Sequence, residues 1–551
     1  MLFSCFAADH STEKPHSARC ACNRAVKDVG SSAYARALES LHALRQDLRR
    51  KLARATPRLT TPRQPQVDAK KDPELDASTC DVDPWGPVLD IPDYALVTLV
   101  HQFAHDALGE PVAGITVLSR IQGSNNAVYI VQYDGAFPLK LCVRIPACGW
   151  GDRWTAQDAD ALRNIALTMR YVKQHTSFPV PEVLQSDTTF NNPLGAPYIL
   201  MTYIEGRPLP SVWNDTSAPA APPDPPTNDS ASDSSAEWDR PLAYFRTAPA
   251  ASLTLEAKRQ KILHSLATTM SALHPLTFPL MGPLVFPPAP TASSPPQDHH
   301  PTVAPAFRAP FGAPRDARFD PAAHVSTAEP SSRAFYARCL AASRAYALAI
   351  EPTDEVAGVH NLFALLLQEL PWPPGGESFV LAPPDLAAAN VLVDDGGRVV
   401  GVVGWDGVES LPRCLGWAAF PDFLGRDWAE GIAWEGGRGG GGEGAVLDGR
   451  AWDAYRADYA EYLEDACRER GGGGGGPDGC RYARKSHLYR AVLLSLGDLD
   501  RMRDVLDAVL AEALPRVRRP ELVAAAGDGV GLRGERERVV RIRFRELLAC
   551  D

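Results

Sequence analysis

Much that would classify a chain of 551 residues is missing from this one. No apolar run reaches the ~18 residues that a membrane-crossing helix needs. The first 25 residues have no apolar core of signal-peptide type, and Asp9 and Glu13 interrupt them. Cysteine is sparse, 11 in the whole chain, and its spacing shows no disulfide framework. Together these predict reduced thiols in a soluble, cytoplasmic protein with no transmembrane segment. Cys20 and Cys22 form a lone pair with no histidine or second pair beside them, a poor metal site. A basic surplus is also lacking. Lys+Arg 56 against Asp+Glu 67 gives a net charge of −11, which argues against a nucleic-acid coat and for no specific nucleic-acid partner. No repeat of 20 to 50 residues is visible, so solenoids and propellers are excluded.

Proline and glycine are abundant instead, 49 and 43 residues. Their combined share exceeds the ordinary ~12% but falls short of whole-chain disorder, so the excess must be clustered. The clusters divide the chain. Residues 1–84 read as a mostly disordered basic tail, within which Leu38, Leu41, Leu44, Leu48 and Leu52 mark one amphipathic helix. Residues 209–252 and 287–332 are Pro/Ala/Ser-rich and are predicted to be disordered insertions. Residues 436–444 and 471–480 are glycine-rich spacers. Residues 516–551 read as a C-terminal extension.

Globular patterning fills the rest. Three short alternating strands are predicted at 115–119, 127–133 and 139–145, with Asp134-Gly135 as a hairpin turn. A helix over 158–176 and a non-alternating, doubly buried strand at 197–204 (PYILMTYI) follow. The chain then turns mainly helical, at 253–274, 336–370, 451–470 and 486–514. Residues 379–403 read as strand, loop, strand, turn, strand. The expected fold is therefore α+β and bilobal. An antiparallel-sheet N-lobe spans 85–208, and a helical C-lobe spans 253–286 and 333–515, with a cleft between them.

Chemistry concentrates in residues 379–416, FVLAPPDLAAANVLVDDGGRVVGVVGWDGVESLPRCLG. Asp385 follows a strand, and Asn390 stands five residues on. Asp406 lies near the end of the strand that closes the next hairpin. A carboxylate and an amide oxygen on such a loop can hold a hydroxyl nucleophile and a hard divalent cation. Phosphoryl transfer needs that arrangement, because it is mostly positioning and charge neutralisation. The plainer alternative is an Asx-turn loop. Upstream, Gly123-Ser124-Asn125 is a small-residue turn whose N–H groups could cradle phosphates or simply close a hairpin.

Residues 379–416 resemble the catalytic loop and metal strand of the aminoglycoside phosphotransferase family, which has a protein-kinase-like fold. The family pattern is H-x-D-x-x-x-x-N, then a hairpin, then a strand ending in D-W-[DE]. Residues 168–183 (TMRYVKQHTSFPVPEV), 192–209 (NPLGAPYILMTYIEGRPL) and 486–502 resemble its fungal branch. The resemblance implies ATP and Mg²⁺ as cofactors and a small-molecule hydroxyl as acceptor. It puts Asp385 at the catalytic aspartate, Asn390 at the metal-binding asparagine and Trp405-Asp406 at the end of the metal motif. It also implies a phosphate loop at Gly123, Ser124 and Asn125, a phosphate-gripping Arg144 and an adenine-holding hinge around Met201 and Tyr203.

The chain departs from that pattern where it matters. Pro383 replaces the motif histidine, and Gly404 replaces the first aspartate of D-W-D. Lys140 competes with Arg144 for the phosphate role. The helix that should supply an acid to Arg144 reads Arg163-Asn164-Ile165, leaving Asp158 or Asp160 as substitutes. On an extended strand Asp406 would point the same way as residue 404, about 6–7 Å further along. Two readings stay open: a phosphotransferase impaired at its metal motif, or an inactive pseudokinase that binds nucleotide or a partner. The match of Gly529-Val530-Gly531-Leu532-Arg533-Gly534 to G-x-G-x-x-G follows no strand and has no room for a βαβ unit.

Overall fold

The computed structural model describes residues 85–108, 114–134, 138–215, 253–287, 300–304, 306–307, 325–373, 375–425, 449–470, 480–528 and 531–550. The leucine-spaced helix at 38–52, most of the 209–252 insertion, the tract at 436–444 and Gly135 of the hairpin turn lie outside them. So does all of 471–480 except Cys480.

Helix α1 (Asp93–Leu108) precedes three strands, β1 (Gly114–Gln122), β2 (Asn126–Asp134) and β3 (Leu139–Pro146). Along β2 every second residue is buried, the period that gives a strand one core face. Ala127, Tyr129, Val131 and Tyr133 pack there with Leu96, Leu99 and Val100 of α1. Helix α2 (Ala156–His175) opens with a capping box. Thr155 accepts from the Asp158 N–H, and Asp158 accepts from the Thr155 N–H at 2.9 Å. Strands β4 (Val183–Asp187) and β5 (Tyr198–Thr202) complete an antiparallel sheet of order β1-β2-β3-β5-β4. Strand β5 is buried on both faces, as its lack of alternation predicts.

The chain crosses to the second lobe through β6 (Arg207–Pro208) and α3 (Leu209–Trp213), then forms α4 (Leu255–Ser271), capped by Thr254. Short strands follow: β7 (Thr277–Phe278), β8 (Gly282–Val285), β9 (Thr302–Val303), β10 (Ala306–Phe307) and β11 (Val325–Ser326). Of the expected insertion at 287–332, residues 288–299, 305 and 308–324 lie outside the described residues, and the described remainder carries backbone pairing. Strand β9 pairs with β8, β10 with β11, and Glu329 bridges to Met281, because backbone pairing satisfies this stretch where its side chains offer little to bury.

The single helical stretch expected over 336–370 is two helices, α5 (Ser332–Ile350) and α6 (Asp354–Glu369). Pro352 has no N–H to continue the ladder, and the Thr353 hydroxyl accepts from the Val356 N–H to start afresh. Strands β12 (Phe379–Leu381), β13 (Val391–Val393), β14 (Val399–Val402) and β15 (Glu409–Leu411) come next. They form two antiparallel sheets, β7-β12-β15-β8-β9 and β14-β13-β6.

Helices α7 (Gly449–Arg470), α8 (Ser486–Ser495), α9 (Leu499–Ala513), α10 (Arg519–Gly527) and α11 (Glu535–Leu548) end the chain. The supposed C-terminal extension is part of the lobe. Val523, Val540, Phe544 and Leu548 share a core with Leu362 and Phe363 of α6. A second core runs from Leu162 and Met169 of α2 through Met201 to Leu263 of α4 and Trp405, so both lobes close over it. Among the described residues no helix is long and apolar enough to cross a membrane. The reading of reduced thiols is corrected at one pair, since Cys467 and Cys480 form a disulfide.

Candidate active site

Strand β12 is wholly buried and delivers the chain into the loop at 382–387. A 3-10 turn (Ala388–Asn390) then leads into β13. The turn is closed by the Asn390 N–H on the Ala387 carbonyl at 2.9 Å, and the Asn390 carbonyl accepts from the Val403 N–H at 2.9 Å. The side chains of Asp385 and Asn390 meet as the spacing predicts. Asn390 Nδ2 donates to Asp385 Oδ2 at 2.9 Å and to the Asp385 carbonyl at 3.0 Å.

The metal strand differs from its expectation. Strand β14 ends at Val402, and Gly404 has φ +82°, a left-handed conformation. Residues 404 and 406 are therefore not related by strand period. A Cβ on Gly404 would lie 2.7 Å from Asn390 Nδ2, so the position faces the asparagine but carries no ligand. Trp405 is buried edge-on to Phe178, its Nε1 donating to the Val402 carbonyl.

Asp406 is held by the other lobe. Its Oδ1 pairs with the Arg144 guanidinium, and its Oδ2 accepts from Asn126 Nδ2 at 2.7 Å. Arg144 is buried at the end of β3, and its expected acid partner is corrected. Asp158 is committed to capping α2, accepting from the Thr155 N–H and hydroxyl. Lys140, the alternative cation, pairs with Glu205 at 2.7 Å.

The phosphate turn is a tight connection between β1 and β2. The Gly123 N–H donates to the Asn126 carbonyl at 2.9 Å, and the Asn125 carbonyl accepts from the Ala147 N–H at 3.0 Å. Asn126 is a residue the sequence reading passed over. Its Oδ1 is buried without a hydrogen-bond partner among the described residues. The one available signal was a polar amide opening an otherwise apolar strand.

The hinge groups are less available than expected. Met201 is paired on both sides, with Cys142 of β3 and Val183 of β4. The Tyr203 N–H donates to the Lys140 carbonyl at 3.0 Å.

A cavity of about 820 Å³ opens beside the loop at 382–387, lined there by Ala382, Pro383, Pro384 and Leu386 and across it by Gly407. Arg490 reaches this cavity and pairs with Asp422 at 2.9 Å. Burial raises the Asp422 carboxyl above the usual carboxylate range; Arg490 opposes the shift and the nearby Asp385 adds to it. No motif pointed to Asp422 or Arg490.

The donor set does not suit Mg²⁺. Next to Asn390 stand one carboxylate, Asp385, and a glycine, while both oxygens of Asp406 are engaged by Arg144 and Asn126. Octahedral Mg²⁺ in nucleotide sites is held by one or two carboxylates at ~2.1 Å, and here the position that should supply one is empty of side chain. Among the described residues no group of three or more His, Cys, Asp or Glu is arranged to hold a metal ion.

No family model matches the chain. A subtelomeric hrmA-associated cluster protein, found in two strains of Aspergillus fumigatus, is 33% identical over 92 residues. That match spans 17% of this chain and 17% of the relative. Among solved structures, a type I macrolide 2'-phosphotransferase aligns over 81% of this chain and 99% of its own, at 16% identity and TM-score 0.34. A thermostable mutant of aminoglycoside phosphotransferase APH(4)-Ia, in ternary complex with AMP-PNP and hygromycin B, covers 81% and 98% at 16% identity and TM-score 0.33. Macrolide 2'-phosphotransferase MphH of Brachybacterium faecium covers 78% and 100% at 14% identity and TM-score 0.34.

Proposed function

We propose that this chain is an aminoglycoside-phosphotransferase-like binding module. It takes an ATP-type nucleotide between the lobes and a small hydroxyl-bearing molecule beside Asp385, without efficient Mg²⁺-assisted phosphoryl transfer. The carrying observation is that Gly404 faces Asn390 with no carboxylate while Asp406 is tied to Arg144 and Asn126. Phosphoryl transfer depends on neutralising charge across the β- and γ-phosphates, and the side chains for that are lacking. Nucleotide binding needs less. Asn126 and Arg144 can engage phosphates once Asp406 yields.

A second reading, slow transfer to an alcohol, is favoured by Asp385. Its exposed carboxylate is held by Asn390, on the loop whose neighbouring Pro384 and Leu386 line a cavity large enough for an acceptor. It would accept the hydroxyl proton.

Titration of ATP with and without Mg²⁺ by calorimetry, beside phosphotransfer assays on an alcohol panel, separates the two. The expected result is ATP binding that Mg²⁺ does not strengthen, and no turnover. Gly404→Asp should make binding Mg²⁺-dependent, because its Cβ would meet only the movable end of Asn390 and aspartate tolerates positive φ better than most residues. Wild-type turnover abolished by Asp385→Asn would instead establish the second reading.

A further inference from the structure

The cavity beside the catalytic loop has walls whose chemistry limits its ligand. Its charged lining consists of two carboxylates, Glu329 and Glu409, and two guanidiniums, Arg338 and Arg490. Arg338 pairs with Glu329 and holds its carboxyl below the usual range, so the two are charged and mutually neutralised. Arg490 is paired with Asp422 behind the wall. Most of the remaining lining is apolar, with Met270, Met281, Phe335, Phe420 and Leu494 forming its larger surfaces. A polycation bound here would meet at most one carboxylate, Glu409, beyond the two paired with arginine, too few to replace its hydration. An apolar molecule would gain about 25 cal/mol for each Å² it removes from water. None of Gly123, Asn126, Arg144 or Met201 is among the described residues lining the cavity, so a ligand here leaves them to a nucleotide; Asp385 stands between two lining residues, Pro384 and Leu386.

We infer that this cavity binds a largely apolar, uncharged alcohol, with a hydroxyl directed at Asp385, and excludes polycationic amino sugars. The inference rests on the reading of Asp385 as the acceptor-side residue of the cleft. The volume of about 820 Å³ lies in the range that buries a drug-sized molecule. Met270 and Met281 in the lining allow the wall to adapt to irregular ring systems.

Equilibrium dialysis of the full chain with testosterone, farnesol and borneol as neutral alcohols, and kanamycin as polycation, tests it. At least one neutral alcohol should bind saturably, one per chain, and kanamycin should not. Leu494→Glu places a charge in the wall from a half-exposed position, and Ala342→Trp fills the cavity from the exposed face of α5. Both variants should keep the wild-type melting temperature and ATP affinity, and both should weaken the alcohol at least about tenfold, the effect of roughly 1.4 kcal/mol. Kanamycin binding tighter than every neutral alcohol, no saturable alcohol binding, or alcohol affinity unmoved by both substitutions would each overturn the assignment. ATP affinity measured on the same samples reports separately on the nucleotide site, so either reading can fail without the other.

Discussion

Asp406 does different work from what its place in the metal motif implies. Its carboxylate joins the lobes by pairing with Arg144 and accepting from Asn126. Its side chain is 29% exposed and that of Arg144 11%, so the pair is only partly screened by water. Asp406→Asn should cost about 1–3 kcal/mol of stability, since it leaves a buried guanidinium with a weaker partner. It should also tighten Mg²⁺-free ADP, because the guanidinium becomes available to phosphate. Denaturant unfolding and ADP titration measure the two effects. Asp385 and Asn390 were picked out in the sequence by their five-residue spacing together with the family resemblance, and the two side chains do meet. Asn126 and Asp422 were not, because each takes its role from a residue far along the chain: Asn126 meets its partner 280 positions away.

Among the elements, β1 to β3 were readable from alternation and β5 from its lack of it, whereas the helix caps at Thr155, Thr254 and Thr353 were not read. Missed were the break at Pro352 and the docking of α10, which depends on shape rather than periodicity. A Cβ on Gly358 of α6 would lie 2.0 Å from the Val523 carbonyl of α10. Gly358→Ala should therefore force the helices apart and cost about 1–3 kcal/mol, read by chemical denaturation. The same helix carries a pH-dependent group. His360 is buried, with Nδ1 on the Val356 carbonyl. Burial lowers its pKa from the ordinary 6.5, more than the Val356 contact raises it. Just below pH 6.5 the unfolded chain then binds a proton that the folded chain refuses. Stability should fall as pH drops from 6.5 to the folded value and should be unaffected by this group above 6.5. Thermal melts of wild type and His360→Gln across pH 5 to 7.5 should show a shallower acid-side slope in the variant.

At the scale of the molecule, two lobes were foreseen and their extent was not. Basic and glutamic residues dominate the surface of residues 516–550. Their apolar residues Val523, Val540, Phe544 and Leu548 are nonetheless buried against α6 and its neighbours. Removal of 516–551 should uncover that face, giving rapid cleavage in limited proteolysis and loss of a cooperative melt.

The contacts of Asp406 also carry a kinetic meaning. They bridge residues 262 and 280 positions apart, so closing them costs chain entropy late, and we expect them to form after most local structure. A bond made that late is absent from the folding transition state, so losing it leaves the refolding rate nearly untouched and appears almost wholly as faster unfolding. In stopped-flow experiments Asp406→Asn should keep the wild-type refolding limb and raise the unfolding limb, making the cleft between the lobes the place where the native state first comes apart.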